Sequence, residues 1–184
     1  MTSTPNHGAR PHRYCPYCAT ELVPRDDHGT ERPTCVACGY IGYQNPAPAV
    51  GVILEKKGNV VLVKRRYEPQ AGLWGLPAGF MEAGEAPEET AAREALEETG
   101  LKIEIERLHG AYRGAGSGQG ARVVLLVYHA RIAGGRLRAG DDAEEVGWFD
   151  LLDMPTLAFQ SHRQALREYH RALGRADEDR RPAR

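Results

Sequence analysis

Apolar residues along the chain follow two periods. Residues 49–54 and 60–65 are short runs rich in β-branched side chains. Lys56-Lys57-Gly58-Asn59 between them has the make-up of a tight turn, so the pattern predicts a two-stranded hairpin. Residues 102–108 alternate, residues 122–132 form a longer apolar strand, and residues 146–149 a short one ending at Asp150. Two stretches follow the helical period instead. Residues 87–99 lie between Pro87, which suits a first helical position, and Gly100, which suits a left-handed stop. Ala86 would be the N-cap and has no oxygen to cap with; Glu85, Glu88 and Glu89 offset this in part. Residues 157–173 place Leu166, Tyr169 and Leu173 at helical spacing and predict a closing amphipathic helix. The Gly-rich stretch 114–120 reads as a hairpin tip or a lid, and residues 134–142 and 151–155 as a loop and a turn. Strands and helices alternate irregularly, and the first two strands are joined by a hairpin. That order argues against a doubly wound parallel sheet and predicts an α/β domain with a mixed sheet and helices on both faces.

The N-terminal quarter is patterned differently. Residues 1–13 are polar and predict a disordered tail. All four cysteines follow, as Cys15-Pro16-Tyr17-Cys18 and Cys35-Val36-Ala37-Cys38, with sixteen residues between the pairs. That is a zinc-site spacing, and four thiolates make a closed, structural Zn²⁺ centre. Two disulfides are the competing reading and need an oxidising compartment; a redox pair is a third, which two matched pairs argue against. Residues 14–42 resemble a zinc ribbon, expected as two short hairpins joined by the polar loop 24–33. Such a unit is too small to bury a core and would need its metal to fold. The Pro-punctuated stretch 43–48 marks a boundary. The main domain is expected over residues 46–173, with a charged tail over 174–184. The ribbon is expected to pack on that domain or to contact a partner, a second copy of the chain in a homodimer included.

Composition narrows the partners. A net charge of −1 over 184 residues provides no global basic field, which argues against a strong nucleic-acid or anionic-membrane binder. No apolar run approaches the length of a membrane span, and residues 1–13 lack the apolar segment of a secretory signal. The expectation is a soluble, cytoplasmic protein.

The chemistry gathers on residues 87–99. Glu94, Glu97 and Glu98 stand three and four apart and share one helix face. Clustered carboxylates repel one another unless a cation lies between them, and all-oxygen donors favour Mg²⁺, Mn²⁺ or Ca²⁺. The run Gly79-x5-Glu85-x7-Arg93-Glu94-Ala95-x-Glu97-Glu98-x-Gly100-Leu101 resembles the Nudix box without a departure at any fixed position. Seven fixed identities agree by chance on the order of 10⁻⁸ per starting position.

The resemblance implies an α/β/α sandwich and a divalent-cation-dependent pyrophosphohydrolase acting on a nucleoside diphosphate linked to another moiety. It implies that Glu94, Glu97 and Glu98 ligate Mg²⁺ or Mn²⁺, that one of them is the general base, and that Glu85 pairs with Arg93. Asp142, six residues before Trp148, stands where relatives often carry a metal-binding Glu, with Glu145 as the substitute. Gly72-Leu73-Trp74-Gly75-Leu76-Pro77-Ala78-Gly79 resembles the approach to the box, with Trp74 expected in the core. Arg65, Gly79, Phe80, Tyr112, Arg113 and Phe159 are the substrate-binding candidates, the aromatics among them equally suited to a core. The Ser-Gln-Pro-Trp-Pro-Phe-Pro motif of NADH pyrophosphatases is missing downstream of Gly100. The pattern is closer to ADP-ribose/FAD pyrophosphatases with an N-terminal ribbon, so FAD or ADP-ribose ranks before NADH. A non-catalytic nucleotide or RNA-binding module, suggested by the ribbon and the Arg-rich ends, is the other class; the intact carboxylate set argues against it.

Overall fold

The structure, a computed structural model, describes residues 12–115, 122–140 and 142–179. Most of the expected tail 1–13, residues 116–120 of the expected lid, and Asp141 lie outside them. The chain divides into a small unit ending at Pro46 and a larger one comprising Ala47–Ala115 and Val123 onward.

In the small unit each cysteine pair sits in a tight knuckle. The Ala19 N–H donates to the Cys15 carbonyl at 2.9 Å, and the Gly39 N–H to the Cys35 carbonyl at 3.0 Å. Both closing residues are left-handed, with φ of 58° at Ala19 and 77° at Gly39. Between the knuckles, β1 (Val23–Asp27) pairs antiparallel with β2 (Thr30–Thr34). The expected loop 24–33 is therefore a paired hairpin, not a linker between two hairpins. His28 and Gly29 make this so: both have positive φ, 51° and 83°, as a two-residue hairpin turn requires.

The larger unit opens with β3 (Ala47–Lys56) and β4 (Asn59–Arg65), joined through Lys57 and Gly58 at φ 55° and 82°. Then come β5 (Trp74–Gly75), β6 (Ala78–Phe80), α1 (Pro87–Thr99), β7 (Leu101–Ala115), β8 (Arg122–Gly135), β9 (Ala143–Asp150) and α2 (Gln160–Asp179). α2 starts later than expected and runs past Leu173 to Asp179, so the expected tail is helical at its start. Ala, Arg and Glu are good helix formers, and no proline interrupts them before Pro182.

The sheet is mixed, ordered β5-β4-β3-β8-β7, with β6 on β3 and β9 on β4. β3 and β8 run parallel from Ala47↔Val123 to Leu54↔Ala130, while β3–β6, β4–β5 and β4–β9 are antiparallel. β3 and β4 pair with each other only beside their turn, at Glu55↔Val60 and Lys56↔Asn59. Beyond it they diverge, and the segment 74–80 bridges the gap. β5 pairs with β4, and three residues later β6 pairs with β3.

Strand alternation sorts the core into two layers. Ile53, Val60, Leu62, Leu125 and Val127 pack with Ala165, Leu166 and Tyr169 of α2. Val52, Leu54, Val61 and Ala130 pack with Ala95 of α1, and Val50 and Tyr128 with Ala91. Helices thus cover both faces, as the pattern predicted. No helix among the described residues is long and apolar enough to cross a membrane.

Candidate active site

α1 begins and ends where its sequence signals stand. Ala86 caps it without a side-chain bond, the Glu89 carboxylate accepts the Ala86 N–H at 2.8 Å, and Gly100 closes it at φ 69°. Arg93 is the hub of the first half. Its Nε and Nη2 donate to the two Glu85 oxygens at 2.7 and 2.9 Å, a bidentate pair. Nη1 donates to Glu94 at 2.6 Å and to Glu97 at 3.1 Å, and Nη2 also to the Phe80 carbonyl at 3.0 Å. Thr90 Oγ1 donates to Glu85 at 2.8 Å. The Arg93 bonds, with the Glu82 N–H and Thr90 behind them, hold Glu85 down to about 2. The loop before α1 is therefore tied to the helix by a permanently charged clamp, the pairing that the resemblance implied.

Glu98 turns to the backbone of β6, and Glu94, held by Arg93, lies against the same strand. Ala78 N–H donates to Glu98 Oε2 at 2.9 Å. A Cβ on Gly79 would meet the Glu94 carboxylate, which would have to swing aside to admit a side chain there. Burial pushes Glu98 up to about 8, against the Ala78 hydrogen bond, and the charges of Glu94 and Asp142 add to the rise while Arg65 opposes it. Burial also raises Glu94. Glu97 is more exposed than either, its side chain open on the outer side of Arg93.

The stretch 136–140 runs back along the end of α1, and the charge of Asp142 is felt at Glu94 and Glu98. This stretch satisfies the last carbonyls of α1: Arg138 N–H donates to Thr99 O at 2.9 Å and Gly140 N–H to Glu98 O at 3.1 Å. Gly140 lies on the Glu97 carbonyl with no room for a Cβ. Glu145, the substitute for Asp142, is drawn off by Lys64, which also holds Glu144 at 3.0 Å.

The other candidates separate. Arg65 donates to the Pro69 carbonyl at 2.8 Å and lies over the Phe159 ring at 5.1 Å, near enough to Glu98 to oppose its rise. Phe80 and Arg113 are exposed. Tyr112 is buried instead, with its hydroxyl donating to Glu168 at 2.7 Å, so its ring is filled space in the α2 layer and presents no face to a base. Trp74 packs on that same layer, edge-on to Phe149 at 4.5 Å. Sequence reasoning missed His162, Thr90 and the Ala78 N–H. Only Thr90, five residues after Glu85 on the predicted helix, left a signal that spacing could have raised.

An all-oxygen donor set of desolvated, mutually repelling carboxylates fits a hard divalent cation. Glu94 and Glu98, with Asp142, are the residues that could hold it. With Arg93 drawing Glu94 and Glu97 to itself, the carboxylate oxygens are not gathered into a closed ligand cage. Among the described residues, the four cysteines alone converge that tightly, with all ligand atoms within 4.8 Å. Their sulfurs stand 3.5 Å (Cys15–Cys38), 3.4 Å (Cys18–Cys35) and 3.6 Å (Cys18–Cys38) apart. Four sulfurs about 2.3 Å from a tetrahedral Zn²⁺ are about 3.8 Å apart. A disulfide needs about 2.05 Å, and all four cysteines are unbridged.

An ADP-ribose pyrophosphatase of Methanocaldococcus jannaschii is 41% identical over 132 residues, 72% of this chain and 78% of that protein. The NAD-capped RNA hydrolase NudC of Chromobacterium violaceum is 34% identical over 148 residues, 79% of this chain. The chain spans about half the length of that relative, 53%. The crystal structure of a Nudix hydrolase from Nitrosomonas europaea superposes with a TM-score of 0.75 at 34% identity, over 86% of this chain and 90% of that one. A model of the Nudix domain matches residues 45–169. A box clamped through Glu85 and Arg93, an acidic face turned to Gly79, and these matches together place the chain in the Nudix family of hydrolases.

Proposed function

We propose that this enzyme hydrolyses the diphosphate of ADP-ribose with Mg²⁺ or Mn²⁺, with FAD as the next substrate. The observation that carries the reading is the placement of Glu94 and Glu98 against the backbone of Ala78 and Gly79, beside Asp142. A diphosphate cannot approach those carboxylates bare. The cation, when bound, supplies neutralisation of the diphosphate and a more acidic attacking water. Glu94, Glu98 and Asp142 would hold it, and Glu97 stands beside them. Arg93 and Glu85 keep the helix and its preceding loop in register. A carboxylate of this face takes the proton of the attacking water. Arg65 and Phe159, stacked near Glu98, suit the phosphate and the ring of a nucleotide. ADP-ribose is ranked first because the M. jannaschii pyrophosphatase shares most of its length with this chain. The reading further assigns Zn²⁺ to the four cysteines as a structural centre, and a cytoplasmic setting in which those thiols stay reduced.

NAD-capped RNA is the second reading, favoured by the similarity to NudC. Incubation of the full chain with Mg²⁺ and each of ADP-ribose, FAD, NADH and an NAD-capped RNA, products separated by chromatography, decides between them. AMP and ribose 5-phosphate from ADP-ribose, faster than any other product, are expected. Preferred release of nicotinamide mononucleotide from the capped RNA would transfer the assignment, and no turnover of any diphosphate would overturn it.

A further inference from the structure

Leu76 lies where the segment 74–80 crosses from β4 to β3. Its side chain is buried, and it belongs to neither strand pairing. A buried amide left without a partner is costly, so the position needs an acceptor from elsewhere. His162, in the first turn of α2, supplies one: its Nδ1 accepts the Leu76 N–H at 3.0 Å. The ring is itself buried and meets Phe159 edge-on at 5.2 Å. A Cβ on Gly75 would stand 2.9 Å from Nδ1, so the imidazole lies directly on the backbone. An accepting Nδ1 leaves the proton of the neutral ring on Nε2. Burial holds the ring neutral, with its pKa lowered to about 4, and the cations Arg65 and Arg163 act in the same direction.

Two residues on, the Ala78 N–H donates to Glu98. Between them the Pro77 carbonyl accepts the Val52 N–H at 3.0 Å. Residues 76–78 are thus anchored at three consecutive points, to α2 through His162, to β3 through Val52, and to the acidic face of α1 through Glu98. We infer that His162 is a positioning residue for Glu98: by holding the Leu76 N–H it aims the Ala78 N–H, and so orients the Glu98 carboxylate for a divalent cation. The inference rests on Glu98 being a cation ligand.

Asparagine keeps an acceptor near the place of Nδ1 and leucine does not, so His162→Asn and His162→Leu separate positioning from packing. Each full-length variant is titrated with Mn²⁺, the free ion read by electron paramagnetic resonance, and amide exchange is followed at Leu76 and Ala78. H162L is expected to weaken Mn²⁺ binding about tenfold, with faster exchange at both amides, and H162N to stay within about threefold of the parent. In a Glu98→Gln background H162L should add nothing further, because both changes act through one carboxylate. A folded H162L chain that binds Mn²⁺ like the parent, an H162N chain as weak as H162L, or an undiminished effect in the E98Q background would each overturn the inference. Should H162L fail to fold, H162N decides alone: retained affinity and Ala78 protection support it, and a tenfold loss rejects it. A parent chain that binds Mn²⁺ but splits no diphosphate rejects the activity and leaves this role standing; an E98Q chain that binds Mn²⁺ undiminished rejects the ligand assignment beneath it.

Discussion

Glu98 is the side chain on which sequence position and environment pull in opposite directions. Spacing places it on an exposed-looking acidic face, yet the fold desolvates it until its pKa reaches about 8. A desolvated carboxylate of this kind is a candidate functional group, in keeping with the role proposed for it above. Glu98→Gln keeps an acceptor for the Ala78 N–H and removes the buried ionisable group. It should therefore leave the melting temperature unchanged or raised while lowering kcat by roughly 10²-fold, equivalent to about 3 kcal/mol. Steady-state hydrolysis and calorimetry on one preparation test this; near-parental turnover would remove Glu98 from the mechanism. Tyr112 shows the converse. Its sequence neighbourhood suggested a ligand contact, but the two faces of a strand cannot be assigned until its sheet partners and covering helix are known, and the fold spends Tyr112 on the core.

At the scale of elements, α1 was the most legible part of the chain. Pro87, Gly100 and the 3–4 spacing of its acids are local signals, and local signals survive folding. Its weak point was legible too: Ala86 stands at the N-cap with extended backbone, φ −76° and ψ 153°, and makes no side-chain bond. Ala86→Ser adds an acceptor for a free helix N–H, opposite the bond that Glu89 already makes. It should stabilise the domain by about 1 kcal/mol and raise its melting temperature by a few degrees. Thermal melts with unchanged kcat are the expected result, and a lowered melting temperature would contradict it. Strand lengths were less legible. Apolar runs marked the buried stretches of β3 and β8, whereas residues 102–108 of β7 hold no buried residue and the strand continues past them to Ala115.

At the scale of the molecule, two kinds of stability are combined. The larger unit rests on two apolar layers, and the small unit has two buried cysteines and almost no core of its own. Zinc removal by a strong chelator should unfold the cysteine unit and leave the main thermal transition of the Nudix domain in place. Native mass spectrometry should show one zinc lost per chain, and a knuckle hydrogen-exchange pattern unchanged by chelation would refute the zinc centre. The larger unit also carries an acid weakness. His162 and His129 are buried, and burial lowers both to about 4. His129 meets His109 at 2.9 Å, and His109 reaches the Ala165 carbonyl of α2 at 3.0 Å. The unfolded chain takes up protons at these histidines below about pH 6.5, whereas the native fold resists them until about pH 4. Stability is therefore whole above that window and is lost as pH falls through it, by about 3 kcal/mol for His162. Denaturant titrations at pH 7, 5.5 and 4.5 should show the fall, and His162→Asn should flatten it.

The order of residues was enough to determine the mixed sheet with helices on both faces, the cysteine cluster and the acidic face of α1. Each depends on spacing within one segment, which periodicity and turn chemistry fix locally. Only the tertiary structure decided that the charge of Asp142 reaches Glu98 while Glu145 leans to Lys64, that Tyr112 is core, and that His162 holds the backbone opposite Glu98. Those contacts join residues 20 to 86 positions apart. Their geometry follows from the splay of β3 and β4 and from the loop that closes α1, and neither has a signature in any one stretch of sequence.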